Sequence, residues 1–121
     1  MFNKENVIEL FKNIKDYWSP KIIAEVNNEY VKIAKFKGEL IWHDHKNSDE
    51  MFYVIKGSFD LHLEKEIINL NQGDFYVVKK GIKHRPVSKE ESWVMMIEKK
   101  ETKHTGDVVS DITKTVDEQL K

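Results

Sequence analysis

The chain has 121 residues, no cysteine, and 20 basic against 21 acidic side chains, for a formal charge of −1. This length is enough for one compact domain that buries about two thirds of the surface of its unfolded chain, and it is too short for two domains. The lack of cysteine excludes disulfides and thiolate metal sites, and the balanced charge gives no general attraction to nucleic acid or anionic lipid. We therefore expect residues 1–121 to form a single domain that binds neither nucleic acid nor membrane.

Residues 1–20 are predicted to form a short amphipathic helix and a connection that pack on the body of the domain. Asn3 is placed to cap this helix, and Ser19-Pro20 is expected to end it. The apolar side chains that recur at helical spacing are Val7, Ile8, Leu10, Phe11 and Ile14. Charged residues interrupt this stretch, so it does not resemble a secretion signal, and no apolar run in the chain is long enough to cross a membrane. A cytoplasmic location is the default expectation.

From residue 21 the hydrophobic period changes to two, which is typical of strands. Asn27 and Asn28 tolerate the left-handed geometry of a tight turn and predict a hairpin. The predicted strands occupy residues 21–26, 29–36, 39–43, 51–55, 58–63, 66–70, 74–78, 84–87 and 92–98. About nine short strands with no helix between them predict an all-β fold, an antiparallel sandwich or barrel over residues 21–99.

Residues 100–121 are more polar and less regular than the rest of the chain. They are predicted to form a C-terminal arm, either a short docking helix or an extended segment that lies across the barrel. His104 lies in this arm and is not counted among the candidate ligands.

Two histidines at a spacing of two provide the first chemical indication in the chain. On a strand the side chains of His43 and His45 would point to the same face, which is the geometry that lets two imidazoles share a metal ion. Glu50 follows a polar loop that can return its carboxylate to them, and His84 follows a further strand and the turn residue Gly81. A lone His-x-His pair is more often two polar residues on a strand, but the additional glutamate and histidine favour a metal site.

The same residues resemble the first motif of the cupin superfamily. That motif places a glycine, a His-x-His pair, a glutamate and a second glycine at set intervals, and Gly38, His43, His45, Glu50 and Gly57 follow that order. Four residues separate His45 from Glu50 and six separate Glu50 from Gly57, as the motif requires. Four residues, rather than the usual five, lie between Gly38 and His43.

The second cupin motif is represented by Gly73, Gly81 and His84. Two positions depart from it, because Lys79 stands where proline is usual and Ser88 where asparagine is usual. These departures affect turn rigidity and a position that is not a ligand, so they leave the four candidate ligands in place.

The resemblance covers about residues 31–98 and implies a jelly-roll β-barrel with a short N-terminal helix, in which His43, His45, Glu50 and His84 are the metal ligands. Three imidazoles and one carboxylate suit a divalent transition metal (Fe, Mn, Ni, Co or Zn), and no soft ligand favours copper(I). Within the superfamily the chain is similar to small single-domain members, some of which are labelled as similar to mannose-6-phosphate isomerase.

Strand parity predicts which side chains surround this site. Those expected to face the barrel interior are Ile41, Phe52, Val54, Trp93, Met95 and Ile97, and core packing is the simpler reason for their apolar character. Trp42, Tyr53 and His62 are expected to face outward, and Arg85 is expected to form a salt bridge at the surface.

The leading functional hypothesis is a metal-dependent cupin that acts on a small organic molecule by dioxygenation or isomerisation. Glu50 serves as a ligand in this hypothesis, and no separate general base is identifiable. The alternative is a non-catalytic cupin module that binds a metal or a sugar-like ligand, because the fold itself does not decide between catalysis and binding. A homodimer is expected in either case, since cupins commonly pair.

Overall fold

The structure is a computed structural model that describes residues 3–100. In this part of the chain it contains one helix and seven strands. They are α1 (Val7–Lys12), β1 (Lys21–Val26), β2 (Glu29–Glu39), β3 (Glu50–Lys56), β4 (Ser58–Leu63), β5 (Ile67–Asn71), β6 (Phe75–Val78) and β7 (His84–Lys99). The predicted C-terminal arm and His104 lie outside the described residues.

All seven strands pair antiparallel, and the long strand β7 is the centre of the pairing. β7 pairs with β2 along most of its length, while its first part pairs with β4 and its last part with β3. β1 extends the sheet beyond β2, β6 extends it beyond β3, and β5 pairs with β4. The predicted all-β, cupin-type jelly-roll fold is thereby confirmed.

The prediction of nine strands was wrong in two places. Residues 84–87 and 92–98 belong to the single strand β7, and residues 89–91, predicted as a turn, lie opposite Lys37 alone in a bulge of the β2–β7 ladder. The buried hydroxyls of Ser88 and Ser92, 2.8 Å apart, join the two sides of this bulge. A bulge adds residues to one strand without ending it, so the sequence of a bulge resembles that of a turn.

The predicted strand at residues 39–43 is also absent. β2 ends at Glu39, and after it Leu40 donates a backbone hydrogen bond to the carbonyl of Pro86 over 3.1 Å. Because Pro86 has no amide hydrogen to return, a continuous ladder is interrupted here. The next backbone contact is an isolated bridge between His43 and His84.

The barrel interior holds most of the hydrophobic core. The buried residues that form it are Trp18, Ala34, Phe36, Leu40, Phe52, Val54, Phe59, Leu61, Leu70, Val78, Val94 and Met96. Phe52 lies opposite Met96, and Val54 lies opposite Val94, in the β3–β7 ladder. The interior prediction was therefore right for Phe52 and Val54.

The interior prediction was wrong for β7, whose inward side chains are one residue out of phase with it. Trp93 and Met95 pack on the outer face of the sheet, where α1 lies. Ile97, the next residue of the same parity on β7, is half-buried. Since α1 covers this outer face, both faces of β7 carry apolar side chains, and the alternation of polar and apolar residues no longer identifies the inner one.

The N-terminal helix packs on the outer face of the sheet, as predicted. Phe11 is fully buried and stacks on the ring of Trp93, with the ring centroids 5.0 Å apart. The cap was predicted at Asn3, but it is Asn6, whose side chain accepts a hydrogen bond from the amide of Glu9. The helix ends at Lys12, well before Ser19-Pro20. Among the described residues, no helix is both long and apolar enough to cross a membrane.

Gly57 provides a test of the connection between β3 and β4. Its φ of +82° favours glycine, and a Cβ at this position would lie 2.8 Å from the backbone oxygen of Glu91 and 3.2 Å from the Cα of Ser92. Gly73, with φ of +90°, shares the conformation but has no atom within 4 Å of such a Cβ. We expect Gly73→Ala to lower the free energy of unfolding by about 1 kcal/mol, the cost of the backbone conformation alone. Gly57→Ala should cost about 1 to 3 kcal/mol more, because the neighbouring backbone has to move.

Urea-induced unfolding of the two variants and the parent protein measures this difference. Equal losses of stability in Gly57→Ala and Gly73→Ala would show that Glu91 and Ser92 move aside freely.

Candidate metal centre

The backbone brings His43 and His84 together directly. The amide of His43 donates to the carbonyl of His84 over 3.0 Å, and the amide of His84 donates to the carbonyl of His43 over 2.9 Å. Such a reciprocal pair holds two residues opposite each other on neighbouring segments, with both side chains on the same side. The imidazole centroids are 4.4 Å apart. The predicted convergence of these side chains is therefore achieved by a two-residue bridge rather than by a strand.

Each of these two imidazoles is also fixed by a carbonyl two residues earlier in the chain. Nδ1 of His43 lies 2.8 Å from the carbonyl oxygen of Ile41, and Nδ1 of His84 lies 2.9 Å from that of Ile82. A carbonyl oxygen only accepts hydrogen bonds, so Nδ1 carries the proton in both rings. Nε2 of each neutral ring is then left with a free lone pair, which is the form that binds a metal.

A turn at residues 79–81 holds His45 and the start of β3 in place. The amide of Gly81 donates to the carbonyl of His45 over 2.9 Å, and the amide of Lys80 donates to the carboxylate of Asp49 over 2.9 Å. Glu50, the first residue of β3, is consequently presented to the same place. The polar loop at residues 46–49 thus returns the carboxylate to the histidines, as the sequence predicted.

All four candidate ligands meet in one buried cluster. The potential ligand atoms of His43, His45, Glu50 and His84 lie within 4.8 Å of one another, and the four side chains are buried. Oε1 of Glu50 lies 3.2 Å from Nε2 of His45 and 3.4 Å from Nε2 of His84. We call this group the four-ligand cluster.

Three polar atoms of the four-ligand cluster are buried without a hydrogen-bond partner in the described part of the chain. They are Nε2 of His45, Nε2 of His84 and Oε1 of Glu50. A buried polar atom that lacks a partner costs free energy, and here three of them face one another. A cation held between them would satisfy all three at once, so these residues fit a divalent metal.

The electrostatics of the cluster favour the deprotonated forms of His43 and Glu50. Burial, with a smaller effect from the neighbouring His84, lowers the pKa of His43 to about 4. Burial by itself would raise the pKa of Glu50, but the neighbouring imidazoles of His45 and His84 outweigh it and hold that pKa well below its usual value. Neutral imidazole and ionised carboxylate are the forms that ligate a metal.

A small cavity lies beside the cluster, inside the barrel. His43 and Glu50 are the titratable residues that line it, and the other lining residues are Trp18, Pro20, Ala34, Phe36, Leu40, Phe52, Pro86 and Met96. The centre of a water-sized sphere can occupy about 20 Å³ of it. This is room for one or two molecules of the size of water, since one water needs roughly 10 to 15 Å³ by this measure.

The other residues considered from the sequence lie outside the cluster. Arg85 reaches Glu39 over 3.5 Å at the surface, as predicted, and also lies over the ring of Trp42. Trp42 is 40% exposed and faces outward as predicted, and the half-buried His62 lies at its ring edge. Tyr53 is half-buried and alternates with the buried, inward Phe52 and Val54, so it faces outward as predicted.

Sequence reasoning missed two buried charged residues next to the cluster. Lys32 and Glu98 are each 1% exposed, and Nζ of Lys32 lies 2.7 Å from Oε1 of Glu98. Glu98 lies directly opposite Glu50 in the β3–β7 ladder, and both side chains are buried. Burial and the charge of Glu50 raise the pKa of Glu98 well above its usual value, against the opposing effect of Lys32. Glu98 shares the strand parity of the buried Val94 and Met96. This parity was the sequence signal that could have predicted an inward Glu98.

Three comparisons with known proteins agree with this geometry. The family model described as "Cupin domain" matches residues 30–98. The protein YdbB of Bacillus subtilis strain 168, described as uncharacterised, is 34% identical over 86 residues, which are 70% of this chain and 76% of YdbB.

Two solved structures with the same fold are also similar. A cupin-2 domain containing protein from Shewanella frigidimarina is 38% identical with a TM-score of 0.78, over 79% of this chain and 94% of that one. Protein NMB1881 from Neisseria meningitidis is 26% identical with a TM-score of 0.74, over 80% of this chain and 99% of that one. Because the cupin model matches more than half of the chain and the barrel carries both motifs, this protein belongs to the cupin family.

Proposed function

We propose that the four-ligand cluster is a divalent transition-metal centre and that the function of the protein depends on it. The observation that carries this proposal is the convergence of three buried, unpartnered atoms, from His45, Glu50 and His84, at one place. Fe, Mn, Ni, Co and Zn are the metals whose preferences agree with three imidazoles and a carboxylate. No thiolate contributes, since the chain has no cysteine.

Each protein group has a defined part in this proposal. The Ile41 and Ile82 carbonyls keep the rings of His43 and His84 in the tautomer that offers Nε2. Glu50 contributes the negative charge, and the apolar wall of the cavity limits the access of water. A metal held here would supply Lewis acidity or redox chemistry to a small molecule bound to it.

Within that proposal, the cavity favours a dioxygen-dependent reaction of a small organic molecule over isomerisation of a sugar. A buried hydroxyl without a hydrogen bond costs roughly 2 to 7 kcal/mol, and a sugar carries several hydroxyls. Among the described residues that line the cavity, His43 and Glu50 are the titratable ones, and both act as ligands in this proposal. The cavity has room for a molecule as small as dioxygen. The likeness to mannose-6-phosphate isomerase receives less support from this lining.

The second candidate is a non-catalytic cupin module that binds a metal and a small ligand. The same lining supports it, because among residues 3–100 it offers no titratable side chain, beyond the two ligands His43 and Glu50, that could move a proton.

A homodimer is also part of the proposal. Phe75 and Val77 lie on β6, a strand at the edge of the sheet, and are 65% and 36% exposed. Large apolar side chains at a free sheet edge suit the surface of a partner subunit.

Metal uptake tests the proposed centre. Protein purified without an affinity tag and dialysed against Co(II) or Zn(II) should retain about one ion per chain, the number that one cluster can hold. His84→Ala should lose this ion, since one of the converging nitrogens is gone. His62→Ala is the matched control, because His62 lies outside the cluster, and it should retain the ion. Elemental analysis after gel filtration gives the content, and equal content in all three proteins would contradict the proposal.

The lowered pKa of His43 predicts how the stability of the metal-free protein depends on pH. The histidine has a pKa of about 6.5 when unfolded and about 4 when folded, so between these values the unfolded chain binds more protons. The free energy of unfolding therefore falls as the pH is lowered through this range, by about 3 kcal/mol for this group. Urea unfolding in the presence of a chelator should show this loss in the parent protein relative to His43→Gln. Parallel pH profiles of the two proteins would argue against a buried, neutral His43.

Turnover separates the two candidate functions. Fe(II)-loaded protein should consume dioxygen in the presence of small, mainly apolar organic molecules, measured with an oxygen electrode. The His45→Ala variant should not, whereas His62→Ala should behave like the parent protein. If the loaded protein neither consumes oxygen nor converts an aldose or keto acid faster than His45→Ala does, the binding-module alternative is favoured.

A further inference from the structure

The buried pair formed by Lys32 and Glu98 has no explanation in the fold alone. Both side chains are 1% exposed, with Nζ and Oε1 2.7 Å apart. Removing two charges from water is costly, and buried ion pairs can often be replaced by apolar residues without loss of stability. A barrel interior filled with aliphatic and aromatic side chains therefore does not need this pair for its stability.

The position of the pair relates it to the four-ligand cluster. Lys32 lies on β2, Glu98 on the adjacent strand β7, and Glu50 on the next strand, β3. Glu98 stands directly opposite Glu50 in the ladder, and both side chains are buried on the same face of the sheet. Three buried ionisable side chains thus occupy three neighbouring strands, and the last of them is a candidate ligand.

Glu50 needs such support. Its Oε1 faces two imidazole nitrogens and has no hydrogen-bond partner in the described part of the chain. A carboxyl group can rotate about its last torsion, which is broad and roughly two-fold. The buried side chain of Glu98, the cross-strand neighbour of Glu50, limits the space for that rotation, and the ammonium group of Lys32 holds Glu98 in turn.

We propose that Lys32 and Glu98 are positioning residues, which orient the carboxylate of Glu50 toward the metal. The inference rests on the proposed metal centre. It adds to that centre an outer layer, formed by Lys32 and Glu98, which acts on the ligand Glu50 and not on the metal itself. Neither residue is among those that line the cavity, so they act through Glu50 rather than on a substrate. The orientation of a ligating group commonly depends on the residues packed behind it, and the loss of such a neighbour typically weakens metal binding about 10- to 100-fold.

Two variants test this proposal. Glu98→Gln keeps the shape of the side chain and replaces its ionisable carboxyl group by an amide. Lys32→Met/Glu98→Leu replaces the whole pair by apolar side chains, which avoids leaving one charge buried alone. Lys35→Met is the matched control, because Lys35 lies on the same strand but near the outward ring of Trp93.

The measurements are Co(II) affinity, by competition with a chelator, and the visible absorption spectrum of the protein saturated with Co(II). We expect both variants to bind Co(II) about 10- to 100-fold more weakly than the parent protein. We also expect an altered spectrum at saturation, because Glu50 then approaches the ion differently. Lys35→Met should match the parent protein in both. A purely structural role of the pair would change thermal unfolding but leave the spectrum of the saturated protein unaltered.

The possible failures are distinguishable. If the parent protein binds no Co(II), the metal centre is wrong and the positioning role is wrong with it. If the parent protein binds Co(II) and either folded variant has an affinity within about twofold and the same spectrum, the positioning role alone is overturned. Circular dichroism of each variant establishes that it is folded, and Glu98→Gln, the smaller change, decides the result if the double variant is not.

Discussion

Four electron-rich atoms directed at one buried place are the feature around which this barrel is arranged. Imidazole nitrogens and a carboxylate oxygen that carry free lone pairs do not stabilise one another, and burial removes the water that would satisfy them. The fold nonetheless holds them there through the reciprocal bridge of His43 and His84 and through the turn that binds His45 and Asp49. Such a costly arrangement, built from backbone hydrogen bonds, is understandable if a cation completes it.

The central strand β7 connects the three parts of the molecule that matter for function. It begins with His84 at the cluster, passes through the bulge beside Ser88 and Ser92, and ends with Glu98 behind Glu50. One face of β7 lies against the helix and the other against the cavity. The strand therefore borders both the outer helix and the inner wall of the site, and a bulge in it allows one strand to pair with both β4 and β3.

Among residues 3–100, the buried charged side chains of the barrel interior lie around Glu50, and most of the remaining interior is apolar. Two buried carboxyl groups and one buried ammonium group lie within it, beside three histidines. A cavity with an apolar wall and a charged end suits a ligand that binds mainly through one polar group attached to a metal. The charged end of the interior thus contains the metal centre and the outer layer formed by Lys32 and Glu98. The apolar wall accounts for the preference for a small molecule.

The sequence alone predicted the family, the antiparallel barrel and the four side chains that meet, because these depend on short spacings, such as the His-x-His pair, and on turn glycines. Residues Asn27 and Gly57, both with positive φ, are turn positions of this local kind. Only the tertiary structure decided the cap at Asn6, the union of two predicted strands into β7 and the inward side chains of that strand. It alone brought Lys32 and Glu98 to Glu50. These features depend on contacts between distant segments, and a strand covered on both faces leaves no alternation in its sequence from which its inner face can be identified.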